Sequence, residues 1–199
     1  ALEHWYGPYA YDRVGYVLTT DGALEIATNI AYPDFMTGQS LGSNRDLFAH
    51  ELGHHWWGDK VTPRVHNHMW LKEGPAEYSS HLLEEWLNGR TSMVSKVKEN
   101  LLDILTSAHL DDDGFQALSP MPDEHIYGTH TYYKGAAVMH NMRGYLGDEL
   151  FREAMRQSQV RLADTVFTPE MWRDTIEAIT NVEMDAFFQD WVFSPGYSV

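Results

Sequence analysis

The sequence predicts an α+β fold that is mainly α-helical, with a small β segment at the N-terminal end. Residues 1–40 are rich in aromatic, β-branched and turn-forming residues, whereas helical spacing of apolar residues dominates residues 44–193. Neither a linker nor a repeat divides the 199 residues, and this length suits one domain with its own core. We therefore expect a single domain that covers residues 1–199.

Composition excludes several classes of protein. The 14 basic and 29 acidic residues give a formal charge of −15, which disfavours nucleic acid or an anionic membrane as a partner. No run of eighteen apolar residues is present, so the sequence predicts no transmembrane segment. Because the chain has no cysteine, any metal ion must be held by histidines and carboxylates.

The first predicted elements are two short strands in the segment VGYVLTTDGALEIATNIAYP. They flank a turn at Asp21-Gly22, and the second ends at Pro33. Two helices follow. NRDLFAHELGHHWWG begins after a Ser43-Asn44 cap and ends at Gly58, and MWLKEGPAEYSSHLLEEWLNG forms the next helix, with Gly74-Pro75 expected in its first turn.

The rest of the chain is predicted to be helical apart from one acidic loop, LDDDGFQALSPMPDEH, whose DDDG portion is typical of a solvated turn. In the last third, Thr168 is the expected N-cap of a helix with Pro169 just inside it. The predicted helices are TSMVSKVKENLLDILTSAH, TYYKGAAVMHNMRGYLG, DELFREAMRQSQVRLA, TPEMWRDTIEAIT and VEMDAFFQDWVFS.

The segment HELGHHWWGDK carries the clearest chemical signal. His50 and His54 are four residues apart and share one face of a helix, so both imidazoles can reach a single ion. Glu51 lies beside them, where it reaches a water on the ion but is poorly aimed as a ligand. This is the H-E-x-x-H arrangement of zinc peptidases, in which the Glu is the general base.

A catalytic zinc ion needs a third protein ligand and an open position for water. Glu73 is the best candidate, since eighteen residues separate it from His54 and allow a second helix to return to the ion. His66 and His68, in a predicted loop, are the alternative ligands. Without a third ligand, the motif could simply be two surface histidines and a solvated acid.

These segments together resemble a known family. HELGHHWWGDKVTP followed by WLKEGPAEY is similar to the signature of aminopeptidase N-like and leukotriene-hydrolase-like zinc peptidases, which are gluzincins with a thermolysin-like catalytic domain. GALEI, YYKG and FFQDWVFSPGYSV extend the resemblance over nearly the whole chain. It implies one zinc ion bound by His50, His54 and Glu73, with Glu51 polarising the attacking water.

The resemblance also implies a role for a tyrosine that the spacing does not single out. Tyr132 corresponds to the family tyrosine that donates a hydrogen bond to the oxyanion; Tyr133 is the alternative. Glu77, one helical turn after Glu73, either accepts a hydrogen bond from a ligand imidazole or lies on a solvated helix face.

Glu25 corresponds to the family acid that binds the free α-amine of the substrate, while Gly22 and Ala23 offer backbone groups to the peptide. Leu24 and Ile26 depart from the family's Gly-x-Met-Glu-Asn, and Ile26 replaces a polar side chain. Substrate positioning is the property that this departure affects.

The sequence therefore predicts a zinc aminopeptidase acting on peptides with a free N-terminus. The alternatives are a zinc endopeptidase or other hydrolase on the same scaffold, and a non-catalytic interaction domain that retains the fold. By resemblance, flanking domains of a longer protein are expected to be missing from this chain, and the resemblance weakly favours a secreted or cell-envelope location.

Overall fold

The computed structural model describes residues 1–196, except for the side chain of Leu41. Residues 197–199, the end of the segment FFQDWVFSPGYSV, lie outside the described residues. Most of the described chain is helical, with few strands. None of the described helices is both long enough and apolar enough to cross a membrane.

The α-helices are α1 (Leu2–Tyr6), α2 (Arg45–His54), α3 (Trp70–Asn88), α4 (Arg90–Asp103), α5 (His109–Asp111), α6 (Gly135–Leu146), α7 (Asp148–Arg161), α8 (Pro169–Thr180) and α9 (Asp185–Trp191). The strands are β1 (Gly15–Thr19), β2 (Asn29–Pro33), β3 (Thr62–Pro63) and β4 (Val166–Phe167). Two π-helical turns cover Ile104–Ala108 and His130–Lys134.

The two N-terminal strands lie side by side in parallel, with Gly15 opposite Asn29 and Thr19 opposite Pro33. The chain between them does not simply reverse at the predicted Asp21-Gly22 turn. It comes back along β2, where Leu24 forms an antiparallel bridge with Ala31 through hydrogen bonds of 3.0 and 2.9 Å. This bridge fixes the backbone of residue 24, and with it the start of the Glu25 side chain.

Two glycines allow the central helices to approach closely. A Cβ on Gly53 of α2 would lie 2.4 Å from Ser79 Oγ of α3, so α2 can pack this tightly only with glycine there. A Cβ on Gly74 of α3 would lie 2.9 Å from the backbone of Gly135, the first residue of α6. These contacts bring α2 and the turn before α6 against the same stretch of α3.

The main core lies beneath these helices and is dominated by large aromatic side chains, among them the fully buried Trp57, Trp70 and Trp172. A smaller cluster of Ile30, Tyr32 and Met36 packs the β segment against α2. Burial of this much apolar surface holds α2 and α3 in fixed positions, because closely packed cores resist displacement.

Several predicted boundaries differ from the observed ones. Helix α2 ends at His54 rather than Gly58, because Trp56 and Trp57 both turn back to hydrogen-bond the carbonyl of Gly53. Helix α3 begins at Trp70, which places Pro75 in its second turn. Helix α1 was not predicted at all. The Thr168 cap of α8 is confirmed, since its side chain accepts a hydrogen bond from Met171 N.

Candidate metal centre

Helices α2 and α3 bring three potential ligand atoms together. His50 Nε2 and His54 Nε2 are 3.1 Å apart, and they lie 3.3 and 3.2 Å from Glu73 Oε2. All three residues are buried. The helical repeat explains the two histidines, and the Gly53 contact explains why α3 lies close enough to add Glu73.

The size of this triangle fits a zinc ion. Ligand atoms about 2.0–2.1 Å from a tetrahedral zinc are separated from one another by about 3.3 Å. The measured separations of 3.1–3.3 Å match that value. Two imidazoles and a carboxylate are also a known donor set for catalytic zinc, which keeps its fourth position for water or substrate.

The electrostatics of the three residues favour positive charge at the centre of the triangle. Burial opposes charge on His50, but hydrogen bonds to Glu73 and Glu77 outweigh it and raise the pKa of His50 to about 10. Burial also opposes ionisation of Glu73, and the two histidines nevertheless hold its pKa far below the usual range. A cation at this centre would take over the stabilising role of the bound proton.

Each ligand imidazole is oriented through its other nitrogen. His50 Nδ1 lies 3.1 Å from Glu77 Oε2, and His54 Nδ1 lies 3.0 Å from the carbonyl oxygen of Trp57. Because both partners are acceptors, each Nδ1 donates when the ring is neutral, which leaves the Nε2 lone pairs for a metal ion. Glu77 therefore faces the site and not a solvated surface.

Glu51 lies next to the three candidate ligands without joining them. Its side chain is buried, and its Oε2 has no hydrogen-bond partner. Burial raises the pKa of this carboxyl group against the opposing effect of His54 and His50. An unpaired buried carboxylate oxygen beside a metal centre is available to a water molecule.

Tyr132 approaches the ligands from the π-helical turn His130–Lys134. Its ring stacks on His50 with a centroid distance of 5.9 Å and an interplanar angle of 30°. Burial, followed by nearby Glu73, raises the pKa of the Tyr132 phenol above its usual range, so the hydroxyl stays protonated as a donor. Tyr133, in contrast, packs against the cluster of Ile104, Ala108 and Ala137.

An open cleft of about 670 Å³ adjoins the three candidate ligands. Its walls include Ala23 from the β segment, and His50, Glu51, Glu77, Tyr132 and Tyr133. Gly22, the other residue expected to offer backbone groups, lies in an exposed turn with φ +64 and does not line this cleft. Ile26 is 47% exposed.

Glu25 lies on the other side of Glu73, where it already has a partner. Lys72 Nζ donates to Glu25 Oε1 and is 3.2 Å from Glu73 Oε1. Burial opposes ionisation of Glu25, but His54 and Lys72 lower its pKa below the usual value. Glu25 also lies close enough to Glu51 and His54 for their ligand atoms to be within 4.8 Å of one another.

The alternative ligands His66 and His68 lie away from this centre. His66 Nε2 is 3.0 Å from Asp123 Oδ1 on the surface, and His68 Nδ1 contacts Ser119 Oγ. Among the described residues, neither belongs to a group of ligands close enough to share an ion. A third group of acids, Glu177, Glu183 and Asp185, lies mostly exposed on the surface.

Sequence reasoning missed two contributors near the site. Lys72 stood in the quoted motif, but nothing in its spacing pointed to Glu25. Asp112, expected in a solvated turn, is instead buried and accepts hydrogen bonds from His130 N at 2.8 Å and His130 Nδ1 at 2.6 Å. It thereby anchors the first residue of the turn that carries Tyr132.

Comparison with known proteins identifies the family of this arrangement. A family model described as the peptidase family M1 domain matches residues 19–191. Probable aminopeptidase 2 of Sulfurisphaera tokodaii is 30% identical over 159 residues, which are 77% of this chain and 20% of that protein. Aminopeptidase N of Oryctolagus cuniculus is 25% identical, and the match covers all of this chain and 25% of that protein.

Solved structures share the fold. The M1 zinc metallopeptidase of Deinococcus radiodurans, bound to a Tyr-Ser-Ala substrate, superposes with a TM-score of 0.83 at 22% identity, covering 96% of this chain and 41% of that one. Leukotriene A4 hydrolase from Saccharomyces cerevisiae superposes with a TM-score of 0.79 at 20% identity, covering 98% of this chain and 33% of that one. The chain spans about a fifth of the length of the Sulfurisphaera tokodaii relative and about a quarter of that of aminopeptidase N.

Proposed function

Because the chain belongs to peptidase family M1, we propose that it is the thermolysin-like catalytic part of a zinc aminopeptidase, which removes N-terminal residues from peptides. One zinc ion is held by His50, His54 and Glu73. The single observation that carries this proposal is the triangle of ligand atoms with sides of 3.1–3.3 Å, which has the size and donor set of a catalytic zinc site.

Zinc at this centre supplies Lewis-acid chemistry, which lowers the pKa of water and polarises the scissile carbonyl. The protein's own groups do the rest. Glu51 takes the proton from the attacking water and passes it to the leaving amine, a role that its unpartnered Oε2 supports. The Tyr132 hydroxyl donates a hydrogen bond to the oxygen on which negative charge develops.

Glu25 gives the proposal its exopeptidase character. Its carboxylate would pair with the α-ammonium of the substrate, and this pairing places the first peptide bond at the metal centre. Ala23, which lines the cleft, is placed to offer backbone groups to the peptide as a strand edge does. Gly22 precedes it and is assigned the same role by resemblance.

One observation favours a second candidate function. Because Lys72 already neutralises Glu25, a hydrolase with the same zinc chemistry but no need for a free amine is the alternative. Such an enzyme would cleave N-blocked peptides as efficiently as peptides with a free N-terminus, or it would open another electrophile.

A panel of fluorogenic aminoacyl substrates, assayed with and without a chelator, tests the proposal in the protein at its natural length. We expect turnover that chelation abolishes and zinc restores, and at least about tenfold lower efficiency on N-acetylated substrates. Equal turnover of free and N-acetylated substrates would favour the second candidate. No zinc-dependent turnover of either would contradict both.

A further inference from the structure

The amine side of the metal centre contains an ammonium group that belongs to the protein itself. Lys72 Nζ contacts Glu25 Oε1, and it is 3.2 Å from the oxygen of Glu73 that faces away from the histidines. A substrate ammonium bound to Glu25 would need the same space and the same negative charge. Two ammonium groups at one carboxylate repel each other, so the presence of Lys72 opposes the binding of a second ammonium there.

This lysine is held in place and is not a surface side chain that happens to fold inward. Its side chain is 16% exposed, and that of Glu25 is 12% exposed. The Lys72 Cδ packs against Gly58, since a Cβ added to Gly58 would lie 3.5 Å from this atom. The Lys72 ammonium forms ion pairs with both Glu25 and Glu73, which hold it between α3 and the loop that carries Glu25.

We propose that Lys72 is an internal competitor for the amine subsite and thereby sets the specificity of the enzyme for the substrate N-terminus. The proposal rests on the proposed function of Glu25. A substrate with a free α-amine must displace Lys72 before it can pair with Glu25, so part of its binding energy is spent on that exchange.

The structure also contains a place for the displaced lysine. Glu25 and Lys72 line a cavity of about 320 Å³ together with Asp59. Asp59 Oδ2 is buried without a hydrogen-bond partner, and the nearest basic nitrogen paired with it, His55 Nε2, is 3.8 Å away. We infer that Lys72 moves from Glu25 to Asp59 when a substrate ammonium enters, since Asp59 Oδ2 has no hydrogen bond to give up and His55 Nε2 is 3.8 Å away.

Binding of L-leucinol to the zinc-loaded protein tests this exchange by calorimetry. L-leucinol has a free ammonium and no bond that a peptidase hydrolyses, and N-acetyl-L-leucinol is its matched control. Lys72→Met removes the competing charge at similar length, whereas Lys72→Arg keeps the charge. We expect Lys72→Met to bind L-leucinol at least about tenfold more tightly than the wild type, with Lys72→Arg and the acetylated control little changed.

Asp59→Asn tests the position to which the lysine moves. It should weaken L-leucinol binding several-fold in the wild-type background and have no effect in the Lys72→Met background, because the coupling requires the lysine. Zinc content and thermal unfolding of every variant show that the metal centre and fold are intact. A variant that loses zinc is replaced by Lys72→Gln.

The competition is wrong if the uncharged variant binds L-leucinol no more tightly than the wild type. Displacement to Asp59 is wrong if Asp59→Asn weakens binding equally in both backgrounds. Failure of the proposed function gives a different result, namely no zinc-dependent turnover of any aminoacyl substrate. That result leaves the calorimetric comparison between the lysine variants interpretable.

Discussion

The two oxygens of Glu73 face two differently built regions. Oε2 faces the ligand side, formed by His50, His54 and Glu77, where each imidazole has a fixed partner on both nitrogens. Oε1 faces the amine side, formed by Glu25, Lys72 and Asp59, where Lys72 bridges two acids and an oxygen of the third acid has no hydrogen-bond partner.

Glu73 therefore takes part in a region of fixed geometry through one oxygen and in a region of exchangeable ion pairs through the other. The ligand side is built on two helices packed through Gly53, so its geometry is set before any ligand binds. The amine side joins α3 to a loop beside β2, and the proposed exchange of Lys72 between Glu25 and Asp59 takes place there. Metal binding needs preorganised ligands, whereas substrate entry needs groups that can be released.

The largest expected effect comes from a change that leaves both sides intact. Glu51→Gln is nearly isosteric and removes the base without removing a ligand. We expect zinc to be retained and turnover to fall by about 10²–10⁴-fold, as for loss of a general base. Turnover of aminoacyl substrates and zinc content are measured on the same preparation. Wild-type turnover in this variant would mean that Glu51 is not the base.

Tyr132 tests whether the ring stacked on the ligand side acts on the substrate. Tyr132→Phe keeps the ring and its contact with His50 but removes the hydroxyl donor. Turnover should fall by roughly 10²–10³-fold with zinc retained, as for one oxyanion donor. Tyr133→Phe is the matched control, because Tyr133 lines the same cleft but packs against an apolar cluster, whereas Tyr132 stacks on His50. A larger loss in the control would reverse the assignment of the two tyrosines.

Glu25 tests the amine side directly. In Glu25→Ala the substrate ammonium loses its partner, and the charge of Lys72 is left near it. Catalytic efficiency on free-amine substrates should therefore fall by at least about thirtyfold, the low end for a shielded ion pair that loses one partner. N-acetylated substrates, measured in parallel, should change much less. Equal losses on both would show that Glu25 has a structural effect and does not select the amine.

Glu77 provides the smallest expected effect and tests the rigidity of the ligand side. Glu77→Gln keeps an oxygen that accepts from His50 Nδ1 but removes the negative charge. Zinc affinity should weaken by about tenfold, the low end for partners that orient a metal ligand. Competition with a chromogenic chelator measures the change. An unchanged affinity would mean that the ligand side needs no support from Glu77.

The ligand side and the amine side also differ in how well the sequence alone could predict them. Spacing predicts part of the ligand side, because His50 and His54 are four residues apart on one helix face, as are Glu73 and Glu77. It did not decide whether Glu77 faces the site or solvent. The longer helices, though not α1, were predictable from their apolar pattern and, for α8, from the Thr168 cap. The ends of α2 and α3 were not, since backbone contacts after His54 and before Trp70 decide them.

The amine side could not be predicted in the same way. Lys72 and Glu25 are 47 residues apart, and their contact depends on how Leu24 bridges to Ala31 in the β segment. The parallel pairing of β1 and β2 is itself a long-range outcome that strand propensity does not specify. Asp112 was missed for a similar reason, since its burial depends on packing against His130, eighteen residues away.

The central claim is that His50, His54 and Glu73 hold one zinc ion, and anomalous X-ray scattering tests it most directly. Crystals of the zinc-loaded protein would be measured on both sides of the zinc absorption edge. We predict one strong peak about 2.0–2.2 Å from His50 Nε2, His54 Nε2 and Glu73 Oε2. A zinc peak at His66 and His68, or none within bonding distance of the three predicted ligands, would contradict the claim.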